Sequence, residues 1–546
     1  MKHLLKLILF LVLLLSSYLY AGYAPPRPGR FNTEYNNRST QSNIPQMRTY
    51  AIPKKRSQFV SGTLKPLIIL IEFSDVKARV SSTTTYFDNM VFSAGGASMN
   101  TYYKENSENK MSFSKIGNPN PTLWLTAENT LAYYGADDDN IDERIDELAK
   151  TAVIKADNQG VDFSQYDDDG DGYVDYVIIV HAGQAQEYSG VSNDIWSHQG
   201  IIPNGYSVDG VKVRAYAMVS EYSPVGVFSH EFGHLLGLPD LYDTATGDTV
   251  VATWCLMDLG AWLGGANHDG TNPSHLSVWC KKYLGWISAE EITADKKNML
   301  IYPNAEAEPA GEKKYLKIPI LGSNTEYFLV EYRRKTPSPY IFEKNIGGEG
   351  ILIWHINDSV NLFRIGANKV NVDPDNLGVA LISADDIVNV ETAEGDPWRK
   401  GQIFMSPRSD SSDGRKSNIL ISNFGIPGNT FDTMDIYIIK MTSNLSINQH
   451  YAYPSPSLGP VNFKFISDTN INDGTVYIYN IAGEEIRRMN VNSDNILVNS
   501  SKDYALVYDV LWDGYNNNGE PSASGLYLYL LKADNVYVKN KFAIVK

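Results

Sequence analysis

Cysteine is almost missing from this chain of 546 residues: Cys255 and Cys280 are the only two. Neither lies in the amino-terminal region, so no leader thiol can cap a site further along. In an exported protein the two can form a disulfide or stand as buried thiols, and both readings stay open at this level. Basic charge is also short. Lys and Arg number 47 against 63 Asp and Glu, a net charge of −16. That argues against a nucleic-acid partner and fits a soluble extracellular surface that attracts cations. Long apolar runs are missing after the first twenty residues, so no later stretch can span a membrane. No fixed-period repeat is present, which sets aside solenoid and propeller architectures.

What is present is a globular composition, 43% hydrophobic, in a chain long enough for two or three domains. Lys2 and Lys6 followed by the apolar run Leu7–Leu15 and then Ser16, Ser17 and Ala21 read as a secretory signal over residues 1–21. Cleavage after Ala21 or Ala24 suits it, and the run is short for a membrane anchor. Residues 22–60 are rich in Pro, Asn, Arg, Ser and Gln and read as a flexible leader or propeptide. Lys54-Lys55-Arg56 within it is a solvated charge run or a processing site. Globular structure is expected from the apolar strand Pro66–Phe73. A helix over Ile141–Lys155 and a buried strand at Val177–Val180 follow. Alternating strands and helices up to Trp286 predict an α/β or α+β unit over residues 61–296.

Only nine histidines occur, and two of them stand four apart in His230-Glu231-Phe232-Gly233-His234. On a helix that spacing puts both imidazoles on one face, where they can hold a single zinc ion. Glu231 follows the first ligand and can reach a water on that metal as general base. Gly237 lets the chain leave the helix with positive φ and turn sharply. The turn can bring Asp240 back as third ligand; Asp243, close by, is the less favoured alternative. A fourth position then stays open for water and substrate.

This spacing matches HExxHxxGxxH of the metzincins, with Asp in the last place. With it, the chain resembles the immune-inhibitor-A family of secreted bacterial metalloproteases over about residues 60–445. Thr253–Gly260 resembles a Met-turn, which implies Met257 as a hydrophobic support under the metal. Pro273–Trp279, Tyr283–Trp286, Tyr327–Glu331 and Gly350–His355 also resemble family segments. Some metzincins carry a transition-state Tyr two residues after the Met; here Leu259 stands there. His198, in a Trp-x-His pattern like the family's, is a candidate helper in its place. The resemblance implies a metzincin-like α+β catalytic domain, zinc, and protein or peptide substrates. A catalytically silent adhesin on the same scaffold, or a zinc amidase, are the rival functions.

A second motif, Asp167-Asp168-Asp169-Gly170-Asp171-Gly172-Tyr173-Val174-Asp175, places Asp167, Asp169, Asp171 and Asp175 at positions 1, 3, 5 and 9 of a calcium loop. Gly172 supplies the tight turn and Tyr173 a backbone carbonyl. Ile178 stands where an EF-hand has its bidentate Glu, so a calcium-type loop is expected rather than an EF-hand. Asp373 and Asp375 are too weak a cluster to assign. Short strands between Gly, Asn, Asp and Pro turns predict a β-rich extension over residues 297–450. The Pro-rich Tyr453–Pro456 precedes a separate domain over residues 453–546, expected to be a β-sandwich. Its Trp512-Asp513-Gly514 and final strands resemble both the sorting domain of type IX secretion substrates and ordinary immunoglobulin-like tails. The first implies contact with secretion machinery or the cell surface.

Overall fold

The computed structural model describes residues 60–117, 121–138, 141–265, 269–306, 313–320, 322–388, 393–415, 417, 419–438, 447–467, 471, 474–491, 495–498, 506–533 and 536–546. The expected signal segment, and the leader up to residue 59, lie outside them. The chain divides into two compact units. The first comprises Met1–Glu290, Tyr302–Lys317 and Phe328–Pro397; the second comprises Glu291–Ile301, Ile318–Tyr327 and Trp398–Lys546. The interval 297–450 therefore contributes to both. The architecture is α+β, with more strand than helix.

The first unit is built on a five-stranded sheet of β1 (Leu67–Glu72), β2 (Leu125–Thr126), β3 (Val177–His181), β4 (His198–Val208) and β5 (Val211–Ser220), in the order β2-β1-β3-β5-β4. Four strands run parallel, and β4 joins the edge antiparallel to β5. Leu67-Ile68-Ile69-Leu70-Ile71 is wholly buried, as a near-continuous apolar strand in a sheet covered on both faces must be. Three helices matter for the site: α1 (Met99–Asn106), α2 (Ile145–Asn158) and α3 (Val225–Leu235). In α2, Leu148, Ala149, Ala152, Val153 and Ala156 form one helical stripe, and that stripe is buried in the core of the sheet. Ser98 caps α1 by accepting the Thr101 N–H at 3.1 Å. From α1, the Tyr103 hydroxyl donates to the Ser229 carbonyl of α3 at 2.7 Å.

Beneath α3 runs a turn, Cys255–Asp258, held from behind by a buried ionic cluster in the same unit. The Arg333 guanidinium donates to the Trp254 carbonyl at 3.1 Å, and it pairs with both Glu331 and Glu343. Glu331 also accepts from the Trp354 and Asn304 side chains, at 2.9 and 2.8 Å. All three charged side chains are fully shielded from water. Glu331 and Trp354 thus join Arg333 and Glu343 in the group that holds this turn.

The second unit contains an antiparallel sheet of Lys296–Ile301, Asp432–Ile438 and Ile419–Ser422. It also contains two four-stranded antiparallel sheets. One runs Ile447–Tyr453, Val461–Ser467, Leu506–Trp512, Ile496–Val498; the other Glu485–Val491, Gly474–Asn480, Gly525–Ala533, Val536–Ile544. Phe463, Tyr508 and Trp512 of one sheet and Ile478, Tyr529 and Phe542 of the other belong to one buried cluster. Period-two alternation in both sheets supplies it.

Removing one partner from a buried ion cluster strands the other charges. Arg333→Met is expected to lower the unfolding free energy by about 3–5 kcal/mol in urea denaturation followed by Trp fluorescence. A loss under about 1 kcal/mol would mean the cluster does not brace the turn.

Candidate metal centre

The chain enters α3 through Pro224, whose fixed φ suits a helix start. Every residue from Val225 to Gly233 is buried, so the helix is a core element and not a solvated surface helix. It ends in a Schellman turn: Leu238 N–H donates to the Gly233 carbonyl at 3.1 Å and Gly237 N–H to the His234 carbonyl at 2.9 Å. Gly237 takes φ +98°, where a side chain would be strained. The reversal carries Asp240 back to the histidines. Leu241 N–H, just beyond it, donates to the Met257 carbonyl at 2.7 Å. Met257 is fully buried. Its sulfur lies so close to Gly233 that a Cβ there would stand 2.9 Å from it and make the Met257 side chain shift.

His230, His234 and Asp240 converge. The two Nε2 atoms are 3.2 Å apart, and Asp240 Oδ1 lies 3.1 Å from one and 3.3 Å from the other. The opposite ring nitrogens are both engaged: His230 Nδ1 donates to the Leu256 carbonyl at 2.9 Å and His234 Nδ1 to the Leu238 carbonyl at 2.8 Å. That fixes the tautomer and leaves both Nε2 lone pairs facing each other and a carboxylate oxygen. Asp240 Oδ1 is buried without a hydrogen-bond donor. Three electron-rich atoms held this close repel one another unless a cation or proton sits among them. The titration follows suit. Burial pulls both histidines down, but the Asp240 carboxylate outweighs it and their affinity for a proton rises. Burial would raise Asp240, yet the two histidines draw it well below the usual carboxylate range. The residues fit a metal.

Glu231 faces a small cavity beside this cluster. Burial pushes its carboxyl up to about 8; the nearby Asp240 and Glu187 carboxylates add to the rise and His230 opposes it. Two supporting residues carried no sequence signal. Asn368 clamps Asp240 from both sides: its amide donates to Asp240 Oδ2 at 2.6 Å, and its carbonyl oxygen accepts the Asp240 N–H at 2.7 Å. Asn368 sits in the left-handed region, φ +51°, which Asn tolerates. Tyr242 lies against the Asp240 carboxylate, and burial holds its phenol protonated.

Other expected residues lie elsewhere. Asp243 accepts the Ala245 N–H within its own turn, 2.8 Å away, and is not in the cluster. His198 does not line the cavity, although Trp196 and Ser197 do. Its ring is held by the Trp196 carbonyl at 2.7 Å and stands edge-on to Tyr216. Cys255 and Cys280 are buried thiols with sulfurs 3.8 Å apart. In the acidic loop, oxygens of Asp167, Asp169 and Asp171 lie within 4.8 Å of one another. Asp167, Asp169 and Asp171 accept N–H groups of the loop, as Asp175 does from Asp168 at 2.8 Å, and Tyr173 pairs by its backbone with Lys212.

Loss of a group that orients a metal ligand weakens metal binding by about 10–100-fold. Asn368→Ala is expected to do so, measured by competition with a chromogenic chelator. Unchanged affinity would show that Asp240 is placed by the turn alone.

A family model described as the immune inhibitor A peptidase M6 catalytic domain matches residues 57–287. Immune inhibitor A of Bacillus thuringiensis subsp. alesti is 28% identical over 293 residues, 43% of this chain and 42% of the relative. Pre-pro-metalloprotease PrtV of Vibrio cholerae serotype O1 (strain M66-2) is 28% identical over 296 residues, 43% of this chain and 32% of the relative. The chain thus spans less than half the length of these curated relatives. Among solved structures, OgpA from Akkermansia muciniphila aligns over 92% of this chain and 97% of its own, with 10% identity and a TM-score of 0.23, too low to support a structural conclusion. The M6 match falls on the five-stranded sheet, α3 and the turn beneath it, so this part of the chain is similar to the catalytic domain of the immune-inhibitor-A metalloproteases.

Proposed function

We propose that this protein is a secreted zinc endopeptidase of the metzincin type, with His230, His234 and Asp240 as ligands and Glu231 as general base. The observation that carries this reading is the spacing of the three ligand atoms, 3.1–3.3 Å. Ligands at about 2.0–2.1 Å from a tetrahedral centre lie about 3.3 Å apart, so the set suits zinc and leaves one position free. When bound, zinc supplies Lewis acidity to the scissile carbonyl and the attacking water. Glu231 takes the proton of that water and hands it to the leaving amine. Leu238 and Leu256 keep the imidazoles aimed, Asn368 aims Asp240, and Met257 floors the site.

Calcium is proposed for the acidic loop. Asp167, Asp169 and Asp171 are its side-chain ligands, with Tyr173 and Asp175 as the outer members of the set. Three close carboxylates favour a cation. Among the described residues no helix is long and apolar enough to cross a membrane. Export rests on the signal-like residues 1–21. The two four-stranded sheets with their shared buried cluster support a carboxy-terminal β-sandwich, which would sort the enzyme to secretion machinery or the cell surface, or serve as an immunoglobulin-like accessory.

Glu231→Gln is expected to keep its zinc and to lose casein hydrolysis by about 10²–10⁴-fold or more. A variant that keeps zinc and still cuts would remove Glu231 from the mechanism. Separately, calcium at a hundred times its Kd is expected to stabilise the wild type by about 2.7 kcal/mol in thermal unfolding. The Asp169→Asn/Asp171→Asn variant should gain nothing; an equal gain in both would move the calcium elsewhere.

A further inference from the structure

The cavity beside His230 and Glu231 contains two more carboxylates, Glu187 and Asp258. They are not equivalent. Asp258 is fully employed: its two oxygens accept the Leu259, Val250 and Val251 N–H groups and the Thr249 hydroxyl, at 2.8–3.0 Å. It ties the turn together and has nothing left for a ligand. Glu187 uses one oxygen, Oε2, to accept the Ser197 N–H at 2.9 Å. Its Oε1 is shielded from solvent and makes no hydrogen bond of ordinary geometry, with the Ser197 hydroxyl as its near neighbour. A buried carboxylate oxygen without a well-formed hydrogen bond is costly, and it is a ready acceptor for whatever enters. The remaining walls are largely apolar and aromatic: Trp196, Trp262, Val227, Leu259 and Ala261.

A lining of apolar and aromatic walls with one carboxylate suits a long side chain that has an apolar stem and a cationic end. We propose that the cavity receives a Lys or Arg side chain flanking the scissile bond, with Glu187 as its counter-ion and the specificity-determining residue of the peptidase. This rests on the peptidase reading above and adds the class of substrate to it. A neutral side chain of the same length would fill the cavity but bring no donor to Glu187 Oε1. The discrimination therefore comes from the unmet acceptor as much as from the new ion pair.

Two measurements separate failure of this proposal from failure of the peptidase reading. In the first, N-acetyl-arginine methylamide and N-acetyl-norleucine methylamide are titrated calorimetrically into zinc-loaded Glu231→Gln protein. The cationic probe is expected to bind about tenfold or more tightly, a preference that collapses when Glu187→Gln is added. Equal or undetectable binding of the two probes, or a preference that survives Glu187→Gln, overturns the proposal whether or not the wild type cuts protein. In the second, casein cleavage sites of the wild type are mapped by mass spectrometry. Lys or Arg at one fixed position beside the cut supports the proposal. Cuts without that bias overturn it and leave the peptidase reading standing. An absence of cuts removes the peptidase reading, and the calorimetry then decides whether Glu187 holds a cation.

Discussion

The centre of this structure is a repulsion. Two imidazole lone pairs and a carboxylate oxygen are held within 3.3 Å of one another, with the ring protons committed to backbone carbonyls on the far side. In a low-dielectric surround such a set is stable only with positive charge among its members. The folding energy of the rest of the unit holds it in place. The Schellman turn returns Asp240 to the helix, the missing side chain of Gly233 admits Met257, and the Arg333 cluster fixes the turn that offers the Leu256 carbonyl. Metal affinity is in this sense stored as strain between ligands that the surrounding core keeps from moving apart.

The residues that do this are not all in the segment that defines the family. The family model ends at residue 287. Asn368, which grips Asp240 by two hydrogen bonds, and Arg333, Glu343 and Trp354 behind the turn all come later, within the same compact unit. A catalytic domain cut at residue 287 would keep the HExxH helix and lose the clamp on Asp240. The Phe328–Pro397 segment is therefore part of the site's scaffold rather than an appendage.

What the sequence made legible follows from locality. His230, Glu231 and His234 were readable because a helix converts a spacing of four into one face. Gly237 and Asp240 were readable because a glycine that ends a helix fixes the direction of the next few residues. The apolar strands Leu67–Ile71 and Val177–Val180 announced themselves by continuous burial. Asn368 and Glu187 were not readable, since each reaches the site across a long stretch of chain and is an ordinary polar residue in its own neighbourhood. His198 is absent from the cavity lining that its neighbours Trp196 and Ser197 join, a distinction that a Trp-x-His pattern does not carry. The division of 297–450 between two compact units was hidden because strands there leave one unit and return within a few residues.

The central claim is that His230, His234 and Asp240 form one closed set of metal ligands. X-ray absorption at the zinc edge of the purified full chain tests it most directly. The account predicts a first shell of nitrogen and oxygen only, four-coordinate, at about 2.0–2.1 Å, with the outer-shell signature of two imidazoles. A shell containing sulfur near about 2.3 Å, or one without imidazole scattering, would contradict it.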